Sequence, residues 1–114
     1  MSLPATYELV CGLEELPQVG AALAEIGGEK VAMVRTADGT VHAVQDTCTH
    51  GAVSLSEGEV EGCAIECWLH GSRFDLRTGK PLTPPATVPI RVYSVKIEGT
   101  DVYVSVAPSA AEEN

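Results

Sequence analysis

Short apolar segments follow one another along most of the chain, and residues 7–10 alternate apolar and polar positions with the period of two that is typical of half-buried β-strands. Tight-turn signals such as Asp38-Gly39 and Gly99-Thr100-Asp101 separate these segments. Strands are predicted at residues 7–10, 21–26, 30–35, 40–44, 63–66, 74–76, 90–97 and 102–106, although 21–26 can also be read as helical. We therefore predict an all-β fold, a small antiparallel sandwich or barrel.

The chain has 114 residues, a length that suits one domain covering residues 1–114. We expect residues of about 5–106 to be ordered and 107–114 to form a flexible polar tail. The segment of about 45–88 is predicted to form a hairpin subdomain. Its end is an extended loop, because Pro81, Pro84, Pro85 and Pro89 remove backbone donors.

The chain carries a net charge of −9. Such acidity argues against nucleic-acid binding, which requires basic patches, but it can speed encounter with a basic protein surface. No apolar run approaches the roughly 18 residues of a membrane span. The N-terminus also lacks the basic and apolar regions of a signal peptide, so we expect a soluble cytoplasmic protein without membrane partners.

The strongest chemical signal is a pair of short motifs, Cys48-Thr49-His50 and Cys67-Trp68-Leu69-His70. Thiolate and imidazole ligands suit zinc, copper or an iron–sulfur cluster. A [2Fe-2S] centre in which two histidines replace two cysteines on one iron fits this composition. A zinc site, and with it a zinc-stabilised binding module, is the alternative, but each motif mixes one Cys with one His, unlike the usual zinc-finger spacing.

The residues around these motifs resemble the Rieske family over about residues 5–106. The matching segments are Thr47–Gly51, Glu66–Asp75, Arg77–Pro81 and Pro84–Ala86. The resemblance implies a Rieske-type fold with one [2Fe-2S] cluster on the hairpin subdomain. It also implies that Cys48 and Cys67 hold one iron, and that His50 and His70 hold the other.

Residues beside the ligands carry further implications of the resemblance. Ser72 matches a serine that bonds a bridging sulfide, whereas Phe74 stands where the cytochrome bc branch has a tyrosine. Ala52 or Val53, together with Leu69, stand where that branch has two further cysteines. Fewer donors to sulfur lower the potential, so we expect roughly −150 mV rather than roughly +300 mV.

Five other residues receive roles outside the ligand set. Trp68 and Leu69 are expected either to shield the cluster or to dock a partner, and Pro85 belongs to the loop over the cluster. Cys63 is interpreted as a small buried hydrophobe and His42 as a surface strand residue.

The resemblance is closest to ferredoxin components of bacterial aromatic-ring dioxygenase systems. It implies a one-electron carrier, not an enzyme, that accepts electrons from a flavin-dependent ferredoxin reductase. Its acceptor is a terminal non-heme iron oxygenase with its own Rieske cluster. Alternatives are electron supply to iron–sulfur cluster assembly and, more remotely, a nitrite-reductase small subunit. A monomer is expected for a shuttle protein.

Overall fold

The computed structural model describes residues 7–48, 53–69, 71–84 and 86–105. Nine strands are present within these ranges. They are β1 (Glu8–Gly12), β2 (Gly20–Ile26), β3 (Glu29–Arg35), β4 (Val41–Gln45), β5 (Glu59–Glu61), β6 (Ala64–Glu66), β7 (Arg73–Asp75), β8 (Val92–Glu98) and β9 (Asp101–Ser105). Short 3₁₀ turns occur at Leu13–Glu15 and Leu55–Glu57. Helix is otherwise absent from these ranges, which confirms the predicted all-β class.

Six strands form one antiparallel sheet in the order β1-β9-β8-β4-β3-β2. The two edge strands, β1 and β2, also contact each other, so the sheet nearly closes into a barrel. Closure of this kind protects the edge strands, whose unpaired backbone groups would otherwise face solvent. The regular spacing of short strands predicted an antiparallel sandwich or barrel, and the nearly closed sheet agrees with this fold class.

Strand β3 is buried on both of its faces. Val31 and Met33 pack into the barrel interior, where they join residues such as Val102 and Val104 of β9. Ala32 and Val34 point the opposite way, as the period of a strand requires, and belong to a second core. This strand is therefore the wall that separates the barrel core from the rest of the protein.

The remaining three strands form a small antiparallel sheet in the order β5-β6-β7. A cross-strand row of Val60, Ile65 and Phe74 runs over it, and Ile65 and Phe74 are fully buried. The backbone of Gly58 lies so close to the carbonyl oxygen of Glu66 that a Cβ would stand 1.8 Å from it. Glycine is therefore required where the chain enters this sheet.

The predicted elements differ from the structure at several places. Strand β5 and the 3₁₀ turn at Leu55–Glu57 were not predicted. Strand β8 begins at Val92 instead of residue 90, whereas the strand predicted at 21–26 is confirmed and its helical alternative is not. The backbone N–H groups of the two residues before Val92 explain the later start, because Ile90 donates to the Gly79 carbonyl and Arg91 donates to the Gln45 side chain.

No helix within the described ranges is long and apolar enough to cross a membrane. The N-terminal residues 1–6 and the predicted tail at 107–114 lie outside the described residues, so the predicted domain limits stay predictions.

Candidate metal centre

The first candidate ligand, Cys48, lies where the chain leaves β4. The Cys48 N–H donates to the Val53 carbonyl at 2.9 Å, and Thr47 forms a β-bridge with Ser54. Thr47 and Cys48 thus lie antiparallel to Ser54 and Val53, and these two pairs form the base of the first loop. Cys48 is buried, with 3% of its surface exposed.

Asp46 fixes the base of this first loop. One carboxylate oxygen, Oδ1, accepts the Ser56 N–H at 2.9 Å, and the Asp46 carbonyl accepts the Leu55 N–H. The Asp46 N–H donates to the Lys30 carbonyl beside β3. The loop that carries Cys48 is thereby attached to the wall of the barrel.

The second loop is a tight turn between β6 and β7. The Cys67 N–H donates to the Ser72 carbonyl at 2.7 Å, and the Gly71 N–H donates back to the Cys67 carbonyl at 2.9 Å. Gly71 has a φ of +77°, a conformation that glycine adopts without steric cost. The turn buries Cys67, which is 1% exposed, at its base.

Both cysteines belong to the same buried cluster, although they come from different loops. Val34, Ile65 and Phe74 pack in that cluster with them. Neither cysteine is in a disulfide, and neither are Cys11 and Cys63. Two buried sulfur atoms at the bases of two facing loops are a donor set that fits one iron of an iron–sulfur cluster.

The other two predicted ligands, His50 and His70, lie outside the described residues, as does Pro85. The described residues thus bring together the two predicted sulfur ligands. The assignment of all four ligands stays a prediction.

Ser72 links the second loop to the proline-rich segment. Its side chain is fully buried, and its Oγ accepts the Ala86 N–H at 3.1 Å. Thr83 adds a second connection, because its Oγ1 accepts the Arg73 N–H and donates to the Gly71 carbonyl. These hydrogen bonds hold the proline-rich segment against the second loop. The hydroxyl proton of Ser72 can still be donated to an acceptor, because its one described hydrogen bond uses only the oxygen.

The residues predicted to lie beside the ligands differ in the exposure of their side chains. Phe74 is fully buried in the core that contains both cysteines. Trp68 and Leu69, which lie between Cys67 and residue 70, are 51% and 46% exposed. Leu82 and Val88 in the proline-rich segment are also exposed apolar residues. The second loop therefore presents an apolar tip to solvent, above a buried sulfur.

Two residues differ from their predicted environments. His42 is half-buried, and Cys63, which was predicted to be buried, is partly exposed. The His42 Nε2 and the Cys63 Sγ lie 3.9 Å apart. The alternation of β4 contains a signal for this contact, because His42 shares the face of Val44, which packs toward the three-stranded sheet.

Burial lowers the pKa of His42, and the positive charge of Arg77 lowers it further. Asp38 and Asp75 oppose this shift by favouring the imidazolium ion. Desolvation is the largest of these influences, so His42 is a neutral base at neutral pH.

Comparison with known proteins gives the family. The model of the Rieske [2Fe-2S] domain matches residues 6–94, so the chain belongs to the Rieske [2Fe-2S] family. Membership implies one Rieske [2Fe-2S] cluster as the resident cofactor, for which the two buried cysteines are suitable ligands.

The chain is also similar to individual proteins over most of its length. The chain is 42% identical over 106 residues to the biphenyl dioxygenase ferredoxin subunit of Pseudomonas sp. (strain KKS102), covering 92% of this chain and 96% of that protein. Among solved structures, it is similar to the ferredoxin of carbazole 1,9a-dioxygenase from Nocardioides aromaticivorans IC177. That match has a TM-score of 0.84 and 34% identity, and covers 89% of this chain and 98% of the other.

A third similarity is to a complex of reduced oxygenase and oxidised ferredoxin in carbazole 1,9a-dioxygenase. The matched chain of that complex has a TM-score of 0.79 and 37% identity, with 86% of this chain and 100% of the other covered. Because the alignment covers most of this chain and all of the matched chain, the similarity extends beyond the two cysteine loops.

Proposed function

We propose that this protein is the ferredoxin component of an aromatic-ring dioxygenase system. It carries single electrons from a flavin-dependent reductase to a terminal Rieske oxygenase and is not itself the catalyst. The names of its full-length relatives support this role. The observation that carries it is the apolar tip, Trp68 and Leu69, which is exposed and follows the buried Cys67 directly in the chain.

We assign Cys48 and Cys67 to one iron and His50 and His70 to the other. When bound, the cluster supplies reversible one-electron chemistry. The chain holds the two cysteines away from water by packing them among Val34, Ile65 and Phe74.

The side chains around the cysteines favour a low potential. Phe74 has no hydroxyl to donate to a ligand sulfur, although it is fully buried beside them. Ser72 acts in the opposite sense, since its hydroxyl can donate to a sulfide once its oxygen accepts the Ala86 N–H. Donors to sulfur stabilise the reduced cluster. Because Ser72 supplies one such donor and Phe74 supplies none, the reduction potential should lie toward the low end of the Rieske range.

The apolar tip is the surface through which we expect electrons to leave. Tryptophan is favoured at the centre of protein interfaces, where exclusion of water strengthens contact. Docking there places the partner within a few residues of the cluster ligands. The acidic charge of the chain can attract a basic partner surface before contact.

Anaerobic electron transfer to an oxygenase tests this proposal. Reduced protein is mixed with the terminal oxygenase of a related dioxygenase system, and oxidation of the ferredoxin is followed by stopped-flow absorbance. The Trp68→Ala variant should transfer electrons about tenfold more slowly in the second-order regime, because an interface anchor is worth more than about 1 kcal/mol. Leu23→Ala, on the exposed side of β2, is the matched control and should leave the rate unchanged.

Equal rates in the two variants would overturn the assigned docking tip. No transfer from the wild-type protein to any such oxygenase, with rapid transfer to an iron–sulfur assembly protein, would overturn the dioxygenase role itself. Sedimentation of the cluster-loaded protein tests the expected monomer.

A further inference from the structure

A second site lies at the junction of the two sheets, on the opposite end of β6 from Cys67. A cavity of about 390 Å³ opens there. Its walls come from the β3–β4 turn, from β4, from the β5–β6 turn and from the segment after β7. The lining residues include Thr36, Ala37, Asp38, His42, Cys63 and Arg77.

The cavity contains a thiol and a base in contact. The Cys63 Sγ and His42 Nε2 lie 3.9 Å apart, within reach of a weak sulfur hydrogen bond. The two residues are 21 positions apart in the chain, so the fold brings them together. A cysteine next to a histidine is the arrangement by which proteins activate a thiol as a nucleophile.

The Cys63 backbone is held while its side chain is accessible. Its carbonyl accepts the Leu76 N–H at 2.9 Å, so the residue is fixed to the strand that follows the second loop. Its side chain packs on the edge of the core but is not enclosed by it. The thiol therefore has a fixed position at the wall of an open cavity.

The charges around the cavity select its ligand. Asp38 is ionised at neutral pH, because hydrogen bonds from Thr36 and Thr40 lower the pKa of its carboxyl to about 2. Arg77 also lines the cavity, and its guanidinium pairs with the Asp75 carboxylate at 4.0 Å. With a neutral imidazole, the remaining charge is negative, as is that of the whole chain. An anionic ligand is disfavoured.

The size of the cavity limits the ligand further. Its volume lies within the roughly 300–1,000 Å³ range of pockets for small organic molecules. The wall is made of short side chains, since Ala37 and Gly62 contribute to it together with two threonines. An uncharged molecule of about one ring fits this combination of volume, charge and thiol.

We propose that Cys63 is a covalent modification site for uncharged α,β-unsaturated carbonyl compounds, with His42 as its base. The His42 Nε2 takes the thiol proton while the Cys63 Sγ forms a bond to the β carbon. The π electrons of the carbon–carbon double bond form a double bond between the α carbon and the carbonyl carbon, and the carbonyl π electrons move to oxygen and give an enolate. The imidazolium then returns the proton to the α carbon. One thiol and one alkene are consumed, one thioether is formed, and nothing is oxidised.

Labelling of the cluster-loaded protein by N-ethylmaleimide tests this site. The experiment uses the Cys11→Ser background, so that Cys63 is the thiol outside the assigned ligand set, and labelling is followed by peptide mass. Cys63→Ser should abolish it. His42→Asn retains a polar side chain but removes the base, so labelling should become about tenfold slower or more. The cluster absorbance and melting temperature of each variant report that the fold is retained.

A charged probe separates this site from a merely exposed thiol. The carboxylated reagent N-maleoyl-β-alanine should label Cys63 at least about threefold less efficiently, relative to N-ethylmaleimide, than it labels free cysteine, because Asp38 repels it. Asp38→Asn should remove that discrimination. This comparison does not depend on the His42 variant being folded.

Two results would overturn the proposal. One is an unchanged labelling rate in folded His42→Asn protein. The other is a preference between the two maleimides equal to that of free cysteine in solution. Either result would make Cys63 an ordinary surface thiol.

Discussion

The barrel and the three-stranded sheet are stabilised in different ways. The barrel has long strands, with seven residues in each of β2, β3 and β8. Its core contains neither of the cysteines assigned to the cluster. The strands of the small sheet have three residues each, and their core contains the two cysteines assigned to the cluster. Burial of apolar area stabilises the first region, whereas the second also depends on the metal.

This difference separates stability from function within one small fold. A substitution in the barrel should change the free energy of unfolding without changing the cluster. A substitution near the loops should change the cluster or its potential first. The shared strand β3 connects the two regions, because its faces belong to both cores.

Removal of a sulfur ligand is the largest test of this separation. Cys67→Ala should abolish the cluster, because no other described residue at the base of the second loop offers a thiolate. Iron content should fall to near zero while amide exchange in β3 stays slow, since the barrel core is intact. Cys11→Ala is the control and should keep full iron content. A colourless Cys67→Ala protein that has lost protection throughout the barrel would show that the two regions are not separable.

The converse test truncates a buried barrel residue. Met33 is 1% exposed, and Met33→Ala should lower the free energy of unfolding by about 2–5 kcal/mol. The visible spectrum of the folded variant should be unchanged. Denaturant unfolding measures the first effect and absorbance the second. Leu23→Ala on the neighbouring strand β2 is exposed and should cost less than about 0.5 kcal/mol. A shifted cluster spectrum in Met33→Ala would contradict the division.

Ser72→Ala should affect both stability and potential. It removes the acceptor of the buried Ala86 N–H, which costs about 1–3 kcal/mol. It also removes the donor that we assign to a cluster sulfide, so the midpoint potential should fall. Redox titration and denaturant unfolding measure the two effects separately. Ser56→Ala is the control, because Ser56 uses its backbone N–H to bond Asp46. A potential that does not change would remove Ser72 from the assigned sulfide contact.

Phe74→Tyr should raise the potential. A new hydrogen bond to a ligand sulfur, worth about 1 kcal/mol more in the reduced state, corresponds to about 40 mV for a one-electron couple. Titration monitored by absorbance measures the shift. Tyr93→Phe, which changes a hydroxyl in the barrel core, should leave the potential unchanged. A Phe74→Tyr protein with the wild-type potential would mean that the hydroxyl does not reach sulfur.

The smallest effect is expected in the β3–β4 turn. The folded pKa of Asp38 is lowered from 3.8 to about 2 by its bonds to Thr36 and Thr40. A lowered folded pKa stabilises the protein above the unfolded pKa, and this contribution is lost as pH falls through the folded value. The stability difference between wild type and Asp38→Asn should therefore shrink between about pH 4 and pH 2. Thermal melts across this range measure it, and a constant difference would contradict the shift.

Sequence reasoning predicted the barrel strands well and the connecting segments poorly. Apolar segments bounded by turn glycines mark β2, β3, β4 and β9, so their positions follow from local pattern. Strand β5 has only Glu59, Val60 and Glu61, which is too short to show a period. It forms because β6 lies beside it, and that is a tertiary effect.

The candidate site divides in the same way. Spacing indicated Cys48 and Cys67, and their burial in one core is a finding of the structure. The alternation of β4 places His42 on the face that packs toward the small sheet, but its contact with Cys63 depends on how that sheet packs against β4. Spacing in the sequence identifies candidate ligands. A contact between residues distant in the chain depends on how the two sheets pack.

The pairing of β1 with β9 has a consequence for biosynthesis. Glu8 pairs with Val104, so the barrel closes only after nearly every described residue has left the ribosome. Both loop cysteines emerge well before that moment, with their thiols still open to solvent. Delivery of iron and sulfide can therefore precede closure of the barrel.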